Sequence, residues 1–130
     1  MFCSTHQAPF YPGTGGPNET GEYGTIVNAP LRAGADGDAF AEALAERVLP
    51  RLRDFRPDLI LISAGFDAHL RDPLGGPRLE EADFSEATKR LMDIADRSCG
   101  GRIVSVLEGG YDLEGLGRSA AAHLLALMGA

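Results

Sequence analysis

The chain has 130 residues and a formal net charge of −7, with 44% apolar and 24% charged residues. That is ordinary globular composition for one small domain, long enough to bury a core. The acidic balance argues against direct binding of nucleic acid or of an anionic membrane, since both need a basic face; it leaves a cationic substrate open.

The two cysteines, Cys3 and Cys99, are far apart and form no C-x-x-C pair, which argues against a disulfide framework or a Cys-rich zinc site. The opening "MFCSTHQAPF" lacks the basic and apolar regions of a secretory leader. No apolar run approaches the roughly 18 residues of a membrane span. A cytoplasmic location is the expectation.

In chain order, "MFCST" reads as a short strand. "PFYPGTGGPNETGEYG" is rich in Pro and Gly and reads as a long loop. Phe10 and Tyr11 in its middle either anchor the loop on the core or face a ligand. "GTIVNAPL" reads as a short extended segment closed by Pro30. "DGDAFAEALAERVLPRLRDF" has helical spacing, with Phe40, Leu44, Val48, Leu52 and Phe55 on one face. Asp38 is the expected N-cap, and Pro50 predicts a kink or two shorter helices. Leu59 to Ile62 is continuously apolar, as in a parallel strand covered on both faces.

"EEADFSEATKRLMDIADRSCGG" predicts a second amphipathic helix. Its stripe is Phe84, Ala87, Leu91, Ile94 and Ala95, and Gly100-Gly101 ends it. "RIVSVLEGGYD" is another buried strand with a glycine turn behind it. A last helix follows, with Leu113, Leu116, Ala120, Leu124 and Leu127 predicted inward. Helix, strand, helix, strand, helix describes an α/β unit with parallel strands.

In such sheets a ligand site lies beyond the carboxyl ends of the strands. If the two apolar strands are neighbours, their turns bring Asp67 and Tyr111 to the same edge. Asp67 there serves as a metal ligand, a helix cap or a general base. Tyr111 follows two glycines, which let backbone approach a ligand closely. Its phenol either donates to a developing oxyanion or packs on the next helix. Asp67-Ala68-His69 also reads as D-x-H. With His6 it would make a three-ligand zinc set, the number catalytic zinc usually takes. His123, between Ala122 and Leu124, is expected at the core edge or the surface.

Four segments in this order, "STHQAPFYPGTGG", "VNAPL", "FRPDLILISAGFDAHLRDPLGG" and "VLEGGYDLEGL", resemble the histone deacetylase family. That group includes acetoin-utilisation proteins and acetylpolyamine amidohydrolases. The likeness runs over almost the whole chain, and its specificity lies in the series of motifs. It implies the arginase/deacetylase α/β fold with a mostly parallel sheet. It implies a zinc-dependent hydrolase that removes acetyl groups from lysine or from small amines. Asp67 matches the family's last zinc ligand, and Tyr111 the tyrosine that stabilises the tetrahedral oxyanion. Gly109 and Gly110 match the glycines that shape the pocket beside it. Tyr11 and Leu74 match walls of the acyl-lysine channel. Ser4 and Thr5 fall where the family often holds a structural potassium ion. His69 matches no zinc ligand. A flavodoxin-like small-molecule binder fits the element order but leaves these motifs to chance.

The sequence also departs from the family pattern. The family domain is much longer, and residues 1–130 resemble its C-terminal portion. The histidine dyad and the segment with the other two zinc ligands have no counterpart here. The expectation is therefore a fragment that is inactive alone and exposes apolar sheet and helix faces. It would regain a site by docking a separate N-terminal fragment. The competing expectation is a non-catalytic remnant or interaction module of the same fold.

Overall fold

The computed structural model describes residues 1–129. Strands β1 (Phe2–Gln7) and β2 (Ile26–Leu31) come first. Helix α1 (Gly37–Ala43) runs through a π-helical turn (Leu44–Val48) into α2 (Leu49–Phe55). Then come β3 (Ile60–Ala64), α3 (Glu81–Cys99), β4 (Ile103–Leu107) and α4 (Leu113–Leu127). β1 pairs with β2 and β3 with β4; both pairs are parallel. Helix α3 packs on α1, α2 and most extensively on α4.

The first helix starts two residues earlier than its periodicity suggests. Asp36, not Asp38, is the N-cap, and its side chain accepts the Ala39 N–H at 3.1 Å. Asp38 lies in the first turn, where a negative charge suits the helix dipole. Pro50 does divide the helix. It sits in the first turn of α2, where its missing N–H costs little, and the π-helical turn precedes it. Phe55, predicted inward, is 46% exposed at the end of α2. Helix α3 carries a capping box between Glu80 and Asp83 and ends at Gly100, whose φ of 60° suits a left-handed cap.

The helices cover one face of the β3–β4 pair. Ile60 packs with Leu49, Ile94 and Ala95, and Ala64 packs with Phe40, Phe66 and Phe84. The opposite face differs from the expectation of strands buried on both sides. Leu61 is 70% exposed, and Val104 and Val106 are also exposed. A continuous apolar run records that both faces suit burial. Among the described residues, cover is provided on one of them.

Helix α4 differs in phase. Leu113 and Leu124, predicted inward, are exposed, and Leu116, Ala120 and Leu127 are half-buried. The buried face is Gly115, Ser119, His123 and Ala126. Gly115 leaves room for the His69 ring, where a Cβ would stand 2.6 Å from Nδ1, and the largest apolar residues are not the buried ones.

His123 belongs to the interior, correcting the expectation of an edge or surface residue. Its tautomer follows from its partners. Thr88 Oγ1 donates to the Phe84 carbonyl at 2.6 Å, so it accepts from His123 Nδ1–H at 2.7 Å. Nε2 then accepts from the Ser105 hydroxyl at 2.8 Å. The imidazole is neutral, and burial pushes its pKa below the ordinary 6.5.

Two stability predictions follow from this packing. A histidine with a lowered folded pKa adds stability above its unfolded pKa and loses it as pH falls through the folded pKa. The urea midpoint should therefore drop as pH falls from neutral toward 5, and His123→Leu should flatten that limb. An unchanged acid slope in the variant would refute the assignment. The second concerns Gly110, whose φ is +142°; a Cβ there would stand 2.9 Å from Leu116 Cδ1 and 3.3 Å from Phe66 Cβ. Gly110→Ala should cost about 1–3 kcal/mol in urea unfolding. No measurable loss would show that the turn relaxes without strain.

Candidate functional site

Ala64 stands opposite Leu107 in the β3–β4 ladder, so the two strands end side by side. The turns beyond them are stitched together. Glu108 N–H donates to the Ala64 carbonyl at 3.0 Å, and Phe66 N–H donates to the Gly109 carbonyl at 2.7 Å. Asp67 is half-buried in the first turn, and its carboxylate lies against two glycines. A Cβ on Gly109 would stand 2.8 Å from Oδ2, and one on Gly65 would stand 3.1 Å from Oδ1. A side chain at Gly109 would therefore displace the carboxylate. Asp67 caps no helix, since α3 is capped by Glu80 and α4 by Asp112.

Tyr111 lies in the second turn and is 57% exposed, so it is not buried against the next helix. Its backbone N–H donates to Asp72 Oδ2 at 2.8 Å. Asp72 Oδ1 accepts from the N–H groups of Leu74 and Gly75, both at 2.9 Å. Partial burial works to raise the Asp72 pKa, but backbone donors from Tyr111, Gly75, Leu74 and Asp112 bring it below the ordinary value. One carboxylate thus ties the Leu74 loop to the Tyr111 turn.

Tyr11 stands apart. It is 92% exposed, and Phe10 beside it is also exposed, so neither anchors the loop on the core. Polar groups do that instead. His6 Nε2–H donates to the Gly15 carbonyl at 3.0 Å, and Asn28 Nδ2 donates to the carbonyls of Gly16 and Glu19, both at 3.1 Å. Gly76 N–H donates to Gln7 Oε1 at 2.8 Å, which joins the end of β1 to the Leu74 loop. Ser4 Oγ lies 2.9 Å from His6 Nδ1, and Thr5 pairs with Ala29 in the β1–β2 ladder.

The D-x-H alternative fails on geometry. His69 is buried below the first turn of α4, where a Cβ on Gly115 would stand 2.6 Å from its Nδ1. Its Nδ1 accepts from the Arg71 N–H at 3.2 Å, and its Nε2 faces Glu81 Oε1 at 3.6 Å. His6 already uses both ring nitrogens. Among the described residues no three His, Cys, Asp or Glu side chains come together to hold a metal ion. Catalytic zinc takes three protein ligands, so these residues do not by themselves fit it. His69 instead supports the site from below, next to an ion-pair chain. Glu81 binds Arg118 at 2.7 Å, and Arg71 binds Glu114 at 2.8 Å and Asp112 at 3.2 Å.

Sequence reasoning missed Asp72 and Gln7 as links. The Asp-Pro and Gly-Gly pairs at 72–76 suit a turn, but the partner of that turn lies 39 residues further on.

Comparison with known proteins matches residues 1–127 to the histone deacetylase domain. A rice protein described as "Histone deacetylase 10, chloroplastic" (Oryza sativa subsp. japonica) is 43% identical over 132 residues, spanning 99% of this chain and 30% of that protein. A "Histone deacetylase-like amidohydrolase" of Pseudomonas aeruginosa is 43% identical over 115 residues, spanning 85% of this chain and 30% of its own length. The crystal structure of the HDA15 HD domain superposes with a TM-score of 0.87 at 39% identity, covering 98% of this chain and 36% of that one. This chain thus spans about a third or less of the length of these relatives. Parallel strand pairs covered by helices agree with the arginase/deacetylase fold that the sequence implies. On motif order, fold and near-complete coverage, the chain belongs to the histone deacetylase family.

Proposed function

We propose that residues 1–130 are the C-terminal portion of a zinc-dependent deacetylase that hydrolyses the amide of acetyl-lysine or of an acetylated small amine and releases acetate. The observation that carries this reading is the gathering of Asp67, Gly109, Gly110 and Tyr111 at one sheet edge. In this reading Asp67 is one ligand of a zinc site whose other ligands lie outside these residues. Tyr111 donates its phenolic hydrogen to the oxyanion formed at the substrate carbonyl. Leu74 and Tyr11 border the acyl channel, and their exposure suits residues that meet a substrate or another chain segment. Ser4 and Thr5 contribute to a potassium site.

The rest of the machinery, a histidine pair and two further ligands, comes from a second polypeptide segment. The bare face of Leu61, Val104 and Val106 supports this part of the reading. Burying such side chains is worth about 1.5–3 kcal/mol each. A second reading is a non-catalytic remnant or interaction module. It is favoured by the absence of any three-residue metal grouping among the described residues.

The test is complementation. The purified chain is assayed for bound zinc and for deacetylation of an acetyl-lysine peptide. Both assays are repeated with a polypeptide carrying the histidine pair and the D-x-H segment of a family domain. The expected result is neither zinc nor turnover for the chain alone, and both for the mixture. Asp67→Ala should abolish both gains. Tyr111→Phe should keep the zinc and lose most of the turnover, about a hundredfold or more. Zinc near one per chain with turnover by the chain alone would overturn the split reading. A stable mixture without turnover would favour the interaction module.

A further inference from the structure

We propose that Asp72 is a positioning residue: its single carboxylate sets the seat of Tyr111 and the height of the channel wall at Leu74. The two oxygens divide the work. Oδ2 holds the Tyr111 N–H at 2.8 Å, and Oδ1 holds the N–H groups of Leu74 and Gly75, each at 2.9 Å. The two arms reach segments 39 and three or fewer residues away.

The surroundings explain why this position needs two strong acceptors. Pro73 has no N–H and a fixed φ, so the turn presents its donors from Leu74 and Gly75. Gly75 lies directly on the Asp67 carbonyl, so close that a Cβ would collide with it. Holding Gly75 therefore also fixes the backbone that carries Asp67. Tyr111 is exposed, so packing does little to hold it. Its neighbour Gly110, at φ +142°, adds no side-chain packing of its own. The Tyr111 N–H bond is then the tether that decides where the phenol starts from. The adjacent ion pairs of Arg71 with Asp112 and Glu114 lie at the surface, with Arg71 and Glu114 exposed and Asp112 partly so. Pairs of that kind contribute little, because water screens them and ordering two long side chains costs entropy.

An amide cannot substitute for this carboxylate. Asn has one acceptor oxygen, so in Asp72→Asn one arm meets an N–H₂ group, donor against donor. Asp72→Glu keeps both acceptors but displaces them by one methylene.

The seat is tested on the chain itself, by amide hydrogen exchange resolved by NMR. In the wild type the Tyr111 N–H should be protected at least about tenfold although its side chain is in solvent. In Asp72→Asn the protection at Tyr111, or jointly at Leu74 and Gly75, should disappear while the amide of Ile94 in α3 keeps its rate. Unchanged exchange at all three positions would overturn the proposal, and so would an equal rise at Ile94. If the variant fails to fold, the wild type decides: a Tyr111 amide that exchanges as fast as an unstructured one overturns the proposal, and a protected one supports it.

The consequence for turnover rests on the function proposed above and is read in the complemented enzyme. Asp72→Asn should lower kcat about tenfold to a hundredfold, as a misplacement near 1 Å would. In a Tyr111→Phe background it should lower kcat no further, because both changes act through the same phenol. Equal losses in both backgrounds would show that Asp72 acts by another route. If the complemented enzyme has no activity at all, the deacetylase reading fails while the exchange result still decides the seat.

Discussion

Parallel pairing of β3 with β4 sets where every other part of the candidate site can be. The register puts Ala64 beside Leu107, and the chain leaves both strands in the same direction. Two turns then have to share one small volume, and they do so by backbone bonds: Phe66 N–H to the Gly109 carbonyl and Glu108 N–H to the Ala64 carbonyl. Space in that volume is scarce. The Asp67 carboxylate occupies the place where side chains at Gly65 and Gly109 would go. A glycine requirement at residue 109 is thus a consequence of an acid at residue 67. Shifting the register by one residue would part the turns and point alternate side chains to the wrong face.

Cover for the two faces of this pair is uneven, and the unevenness has an energetic meaning. Ile60 and Ala64 take part in continuous packing with α1, α2 and α3. On the other face Leu61, Val104 and Val106 are exposed beside Leu59, which is half in solvent. Isolated apolar side chains in water are ordinary, but a contiguous set on a flat sheet face marks a surface that gains from being covered. Helix α4 repeats the pattern with Leu113, Leu124 and Met128 exposed. Apolar area is abundant here, and the described residues bury only part of it.

Much of this was legible in the sequence, for local reasons. The ends of α3 follow from its periodicity and from Gly100, which the chain needs at a φ of 60°. The shared edge of the two turns follows from two apolar runs that both close in glycine-rich segments. What stayed hidden depends on partners remote in sequence. The phase of α4 was misread because helical periodicity ranks residues by hydrophobicity. The buried face is made by Gly115, Ser119 and His123, the last bonded to Thr88 of α3, and only the elements packed against it reveal that preference. His123 looked like an edge residue because its two satisfying hydroxyls, Thr88 and Ser105, lie 35 and 18 residues away. Strand burial was overestimated because an apolar run tells which faces tolerate burial but not which are covered.

Two acids five residues apart show how the fold separates support from chemistry. Asp72 has its lone pairs engaged by backbone N–H groups from two segments. A carboxylate so bonded is held in one place and favoured in its charged form. Asp67 sits among glycine Cα atoms, and among the described residues no hydrogen-bond donor engages its side chain. Water is the default partner of such oxygens, and a half-buried carboxylate with free lone pairs is able to take a ligand without first breaking protein bonds. The two arrangements are linked: Asp72 holds Gly75, and Gly75 rests on the Asp67 backbone, so the bonded acid helps fix the turn that carries the free one, together with the Phe66 N–H bond to the Gly109 carbonyl.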